Sequence, residues 1–172
     1  MNNNKTLKEI QEPLKAHYKS NPEAALVTLK AQAKVGEGIS CKIESGKALV
    51  EAGLHPATGG DGLSACSGDM LLEALAACAG VTLNAVATAI DFDLKDATVY
   101  AEGLLDFRGT LSVDKDAPVG FKSITLRFDL STNENEERIQ SLLKLTERFC
   151  VVYQTLAKGT ELRVEKELHP FS

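Results

Sequence analysis

Residues 67–90 read SGDMLLEALAACAGVTLNAVATAI, and how they are housed decides the fold. Ser67 precedes the apolar run that begins at Met70, and Asp69 falls in its first turn, where a negative charge meets the positive end of a helix. The stretch therefore predicts one long helix to Ile90. At about 20 residues such a run is long enough to span a bilayer, but Glu73, Gly80 and Asn84 interrupt it and alanine supplies much of its apolarity. It reads as a helix buried on nearly all sides of a soluble core.

Before this helix the pattern has a period of two. Ala25, Val27, Leu29, Ala31, Ala33 and Val35 alternate with more polar neighbours, Gly36-Glu37-Gly38 turns the chain into Ile39, Cys41 and Ile43, and Glu44-Ser45-Gly46-Lys47 turns it into Ala48, Val50 and Ala52. This predicts an antiparallel meander, followed over residues 53–66 by a Gly-rich loop. Beyond the helix, Val99, Ala101, Gly103, Leu105 and Phe107 alternate, as do Ile124, Leu126, Phe128 and Leu130, which predicts two paired strands. Asn133 with Glu136 resembles a capping box ahead of a second helix to about residue 149. Helix then continues after a bend from Val151 to Ala157, stops at Lys158-Gly159, and Leu162, Val164 and Leu168 form a last strand. The order is that of an α+β fold, an antiparallel sheet packed on two principal helices. Residues 1–24, broken by Pro13 and Pro22, form an N-terminal helical or partly ordered arm to a domain spanning 25–172.

A net charge of −5 and an isoelectric point near 5.3, with scattered cations, exclude a broad phosphate-binding surface and make nucleic acid an unsuitable partner. The charged N-terminal segment lacks the apolar core of a signal peptide, so a cytoplasmic location without a membrane is expected. The four cysteines have no CxxC spacing and the three histidines lie far apart, which argues against a metal site. Gly59-Gly60-Asp61-Gly62 lacks the lysine and the preceding strand of a phosphate loop, and no cofactor is expected.

What remains for chemistry is thiol. At about 100° per residue, Cys78 shares its helix face with Leu71, Ala74, Leu75, Val81, Thr82 and Ala85, and Cys150 continues the stripe of Ile139, Leu143 and Thr146. By residue type and spacing alone, inert core packing is the more economical reading of both, and a transient redox pair the alternative.

The wording of the two segments bears on that choice. Ser67-Gly68-Asp69-Met70-Leu71-Leu72-Glu73-Ala74-Leu75-Ala76-Ala77-Cys78, followed by Val81-Thr82-Leu83, resembles the first-cysteine helix of the OsmC/Ohr family. Phe149-Cys150-Val151-Val152-Tyr153-Gln154-Thr155-Leu156 is similar to the family's second-cysteine segment, in which the cysteine is usually followed by Pro-Val. The resemblance extends over residues 25–168. It implies an OsmC-like fold, an intertwined homodimer, and the reduction of organic hydroperoxides with Cys78 as nucleophile and Cys150 as resolving thiol, a dithiol reductant closing the cycle. It also implies an activating arginine ahead of the first-cysteine helix and a glutamate at that helix's start. Here no arginine occurs before residue 108, and the glutamate position falls on Gly68 or Asp69. Arg108, at an Arg-Gly turn, is the replacement cation to consider and Asp69 the carboxylate. Asp69 is about 14 Å from Cys78 along a straight helix, so a group at the start of that helix would serve Cys78 from the other subunit. A non-catalytic or ligand-binding member of the same fold is the competing reading. Cys66, His55 and Glu73 are read as a loop residue, an incidental histidine and a boundary charge.

Overall fold

The period-2 segments of the N-terminal third form a meander. Strands β1 (Gln32–Val35), β2 (Ser40–Ser45) and β3 (Ala48–Gly53) pair antiparallel in that order, Ala33 opposite Ile43 and Ile43 opposite Val50. The computed structural model describes residues 20–21, 32–35, 40–45, 48–58, 62–112 and 114–169, with side chains described at 20–21 and from Glu51 onward, Arg108 excepted. The expected arm over 1–24 lies outside these residues apart from Ser20 and Asn21, as does the expected strand before Gln32. Within the expected loop, Pro56–Thr58 make a single 3-10 turn in which the Ala57 amide donates to His55 Nδ1 at 3.0 Å, and β4 (Ala65–Cys66) lies parallel to β3. Met1–Ser67 and Gly68–Ser172 are two compact units.

The second unit is built on helix α1 (Ser67–Ala89). Its buried residues, Leu75, Ala79, Leu83, Val86 and Ala87, are spaced by three and four and so form one stripe, while Ala74, Ala77, Val81, Asn84 and Thr88 are exposed. The expectation of burial on nearly all sides is thus corrected: uniform alanine-rich apolarity hides which face packs. The stripe meets a hairpin of β5 (Leu94–Leu105) and β6 (Phe121–Thr132), registered with Val99 opposite Phe128, Ala101 opposite Leu126 and Gly103 opposite Ile124. With side chains alternating, that register puts the apolar set on one face. A side chain at Gly103 would overlap the Phe121 ring, so glycine lets that ring lie across the strand. Phe107, expected to end the strand, instead begins the one-turn helix α2 (Phe107–Thr110).

Helix α3 (Glu136–Phe149) starts at Asn135, whose side chain accepts from the Arg138 amide at 2.9 Å. The expected cap, Asn133, is two residues early, because Asn-Glu-Asn-Glu-Glu offers the capping pattern in more than one phase. Such a cap is worth about 1 kcal/mol. Arg138 also closes the end of α1, where Asp91 takes a left-handed backbone (φ 52°): its guanidinium donates to the Asp91 carbonyl at 2.7 Å and the Ile90 carbonyl at 3.3 Å. Glu134 completes the clamp, accepting from the Asp93 amide at 3.1 Å and lying 2.7 Å from Arg138 Nε as a charge contact. The Asp93 amide, then the Arg138 side chain, hold its carboxyl below the usual carboxylate range.

Helix α4 (Val151–Lys158) follows α3 and ends at Gly159, whose φ of 68° suits glycine. The expected last strand does not form: residues 159–169 are non-helical and unpaired, with Leu162, Val164 and Leu168 at least 80% exposed. Alternation specifies a strand only where an edge accepts its hydrogen bonds, and this segment pairs with none among the described residues.

Candidate functional site

The joint between α3 and α4 is Cys150 itself. Its amide donates to the Thr146 carbonyl at 2.9 Å, ending α3, and its carbonyl accepts from the Gln154 amide at 2.9 Å, starting α4, while its own backbone is extended (φ −71°, ψ 109°). The sequence places Cys150 on the α3 stripe; the structure moves it into the break. The bend expected between residue 149 and Val151 is thus present, although no glycine or proline marks it. The Cys150 side chain is fully buried with Leu75 and Ala79 of α1, and Cys78, on the same helix face, packs half-buried against it together with Val152 and Tyr153.

The thiols lie in one packed cluster and differ in charge preference. At Cys78 burial pushes the pKa up, but the Val152 amide, the Cys150 thiol, the Val151 amide and the Thr82 hydroxyl outweigh it and hold the pKa below the ordinary 9.0. At Cys150 burial raises the pKa; the Tyr153 amide, near its sulfur without closing a capping bond, pulls down, and Cys78 pushes up, with a net rise. Cys78 therefore ionises first, with Cys150 as a neutral donor. The groups bearing most on the Cys78 charge are all uncharged.

An apolar cavity of about 520 Å³ adjoins the pair, walled by Leu71 and Leu75 of α1, Phe121 and Ile124 of β6, and Tyr153 and Leu156 of α4. It shares Leu75, Ile124, Leu126 and Tyr153 with the cluster around Cys150. An uncharged organic molecule could be held there with its polar end toward the thiols.

The structure brings Cys78 and Cys150 together and sets Asp69 apart from them, while the Arg108 side chain lies outside the described residues. Asp69 is exposed in the first turn of α1, in a groove with Glu73, Tyr100 and Glu102. Arg108 belongs to α2. Cys66 and His55 lie in the other unit, in β4 and just before the 3-10 turn. Thr82 and the first amides of α4 are what sequence reasoning missed. Thr82 is legible on the Cys78 face by its four-residue spacing, but an amide freed by a helix break leaves no mark in side-chain identity. Among the described residues no cluster of histidine, cysteine and carboxylate suits a metal.

The geometry has relatives. Residues 59–165, more than half of the chain, match the family model described as OsmC-like protein. No curated protein sequence matches significantly. Among solved structures, an OsmC-like protein of Mycoplasma pneumoniae superposes with a TM-score of 0.65 at 19% identity, covering 77% of this chain and 89% of that one. An organic hydroperoxide resistance protein OsmC of Legionella pneumophila, also described as a predicted redox protein, gives 0.61 at 20% identity over 77% and 90%. The organic hydroperoxide resistance protein OhrB of Bacillus subtilis gives 0.55 at 22% identity over 78% and 93%. At these identities the superpositions speak for the fold, and with the sequence match they establish that the chain belongs to the OsmC-like family.

Proposed function

We propose that the chain reduces organic hydroperoxides through a two-cysteine cycle, with Cys78 as nucleophile and Cys150 as resolving thiol. The observation that carries this reading is the placement of the pair: a half-buried thiol, held below its ordinary pKa, packed in one cluster with a fully buried thiol held above it. In the first step the Cys78 thiolate attacks the outer oxygen of ROOH. An S–O bond forms, the O–O bond breaks, and RO⁻ leaves and is protonated to the alcohol. In the second, the Cys150 sulfur attacks the resulting sulfenic acid and water leaves with the Cys150 proton, giving a disulfide. A dithiol reductant returns both sulfurs to thiols. The cavity beside the pair suits the organic group R, and the printed names of the Legionella and Bacillus proteins point to the same substrate class.

The working form in this reading is a cytoplasmic homodimer. Supporting it are apolar side chains left uncovered, Val81 at 74% and Val151 at 71% exposure, and the unpaired apolar tail after Gly159. Any service of Asp69 to Cys78 comes from the second copy. A ligand-binding member with unreactive thiols is the alternative, favoured by the cavity and by the lack of arginine before residue 108. Free-thiol titration before and after one equivalent of cumene hydroperoxide separates them. Loss of the Cys78 and Cys150 thiols, restored by a dithiol, is the expected result, and unchanged thiols would establish the ligand-binding reading.

A further inference from the structure

Cysteine is a poor helix cap, and Cys150 heads α4 with no side-chain bond to its first turn. The first intrahelical bond of α4 runs from the Gln154 amide to the Cys150 carbonyl, so the amides of Val151, Val152 and Tyr153 have no acceptor inside the helix. Cys78, on α1, is placed to fill the vacancy: it packs into the same cluster around Cys150 as Val152 and Tyr153 do, and the Val152 and Val151 amides bear on its sulfur and hold its pKa down. One turn further along α1, the Thr82 hydroxyl donates to the Cys78 carbonyl at 2.7 Å and lies in reach of the same sulfur. A hydroxyl has one proton and a low rotation barrier. It can rest on the carbonyl while the sulfur is a thiol and swing to the sulfur once charge develops there.

We propose that the Val151 and Val152 amides and the Thr82 hydroxyl form a neutral cradle that stabilises the Cys78 thiolate without a cation, the sulfur serving as the cap of α4 that Cys150 does not provide. Thr82 and Val151 are thereby assigned as positioning residues of the nucleophile. The inference deepens the two-cysteine reading and rests on it for the use of the thiolate, though not for its existence. Val151 is apt for the role. The family segment usually has proline after the cysteine, which would offer no N–H, so this chain has a donor where the resemblance predicts none, together with no arginine before residue 108. A cradle of dipoles also suits an apolar surrounding: the cluster against which Cys78 packs also takes Val99, Ala101, Ile124 and Leu126 from the hairpin, and its titratable members from the α3–α4 joint are Cys150 and Tyr153.

The test is the pH profile of Cys78 alkylation by iodoacetamide, followed at the Cys78 peptide by mass spectrometry on the full-length protein, a readout independent of any peroxidase activity. Val151→Pro removes one N–H while keeping a residue favoured at the first position of a helix; Val151→Ala retains the donor. Thr82→Val removes the hydroxyl at equal size, and Thr82→Ser restores it. For Val151→Pro and Thr82→Val the inflection should rise by about one pH unit. A thiolate of higher pKa is intrinsically more nucleophilic, so alkylation should slow about threefold below the inflection and quicken about threefold above it. That crossing is the signature of a lost charge-stabilising donor, which general loosening of the structure would not produce. Val151→Ala and Thr82→Ser should follow the wild type. Inflections unchanged in both donor-removing variants would overturn the cradle, as would a shift produced by Arg108→Gln alone, which would assign the activation to a cation. A cradle confirmed in a protein that leaves cumene hydroperoxide untouched would retire the peroxidase reading and keep this one.

Discussion

The second unit has two cores along α1, and they are built differently. Toward the helix end, Leu83, Val86 and Ala87 close on Phe92 and Leu142, and outside them Arg138 clamps two carbonyls while lying beside Glu134. Toward the helix middle, Leu75 and Ala79 close on Cys150, with Cys78 partly open and a cavity alongside. The first core is filled with branched and aromatic side chains and its polar groups are tied by a full charge. The second sets the small Ala79 and Cys150 beside Leu75 at its buried centre, leaves room for a guest alongside, and surrounds its sulfur with uncharged groups. The difference teaches where each property can reside. A cation is tolerable where water reaches it, as the Arg138 side chain at 39% exposure is, whereas within an apolar pocket a dipole costs less to desolvate than a charge.

The largest effect should come from the site half. Cys78→Ser is expected to abolish consumption of hydroperoxide, and Cys150→Ser to permit one turnover ending in over-oxidation of Cys78, both followed by peroxide assay and intact mass. Equal single-turnover rates for Cys78→Ser and wild type would remove Cys78 from the role of nucleophile.

Next comes stability, which should be concentrated in the other half. Leu83 is 1% exposed, and Leu83→Ala should cost about 2–5 kcal/mol in urea unfolding with little change in the alkylation profile of Cys78. Cys150→Ala, which removes one atom from a cluster of small side chains, should cost clearly less. If the two losses were equal, the contrast between a stabilising and a chemical core would break.

Smaller still is the clamp. Arg138→Ala removes donors from the carbonyls of Ile90 and Asp91 at a part-exposed site and should cost about 1 kcal/mol. Amide hydrogen exchange should localise the loosening to the turn after α1, with the thiol pair unaffected.

The least effect is a pH dependence with a defined sign. Because Glu134 is held below its unfolded carboxylate pKa, the stability it adds is present above that unfolded value and is lost as pH falls through the lower folded one. Acid unfolding of Glu134→Gln should therefore be shallower than that of wild type across that window. Cys78 has the same sign at higher pH: its thiolate stabilises the fold above the unfolded thiol pKa, and that stability is lost as pH falls through the lower folded value. In Cys78→Ser this alkaline contribution should vanish, as read from unfolding midpoints on either side of the window.

Much of the architecture was decided by local pattern. Period-2 alternation placed β5 and β6 and their shared apolar face, Ser67 and Asp69 marked the start of α1, and Lys158-Gly159 marked the end of α4. The motifs around Cys78 and Cys150 pointed to the family through the wording of their residues. Local pattern failed where several answers satisfied it equally. Alanine-rich α1 shows no preferred face by composition, Asn133 and Asn135 compete as caps, and Leu162, Val164 and Leu168 alternate like a strand that finds no edge among the described residues.

The chemistry of the site was settled at a further remove. Residue identity supplied two thiols, a hydroxyl one turn away in Thr82, and a bend between residue 149 and Val151; it could not say that the amides released at that bend bear on the Cys78 sulfur. A thiol's charge depends on which dipoles and charges surround it in space, and backbone amides are common to nearly every residue, so only the packing of α1 against the α3–α4 joint could select them.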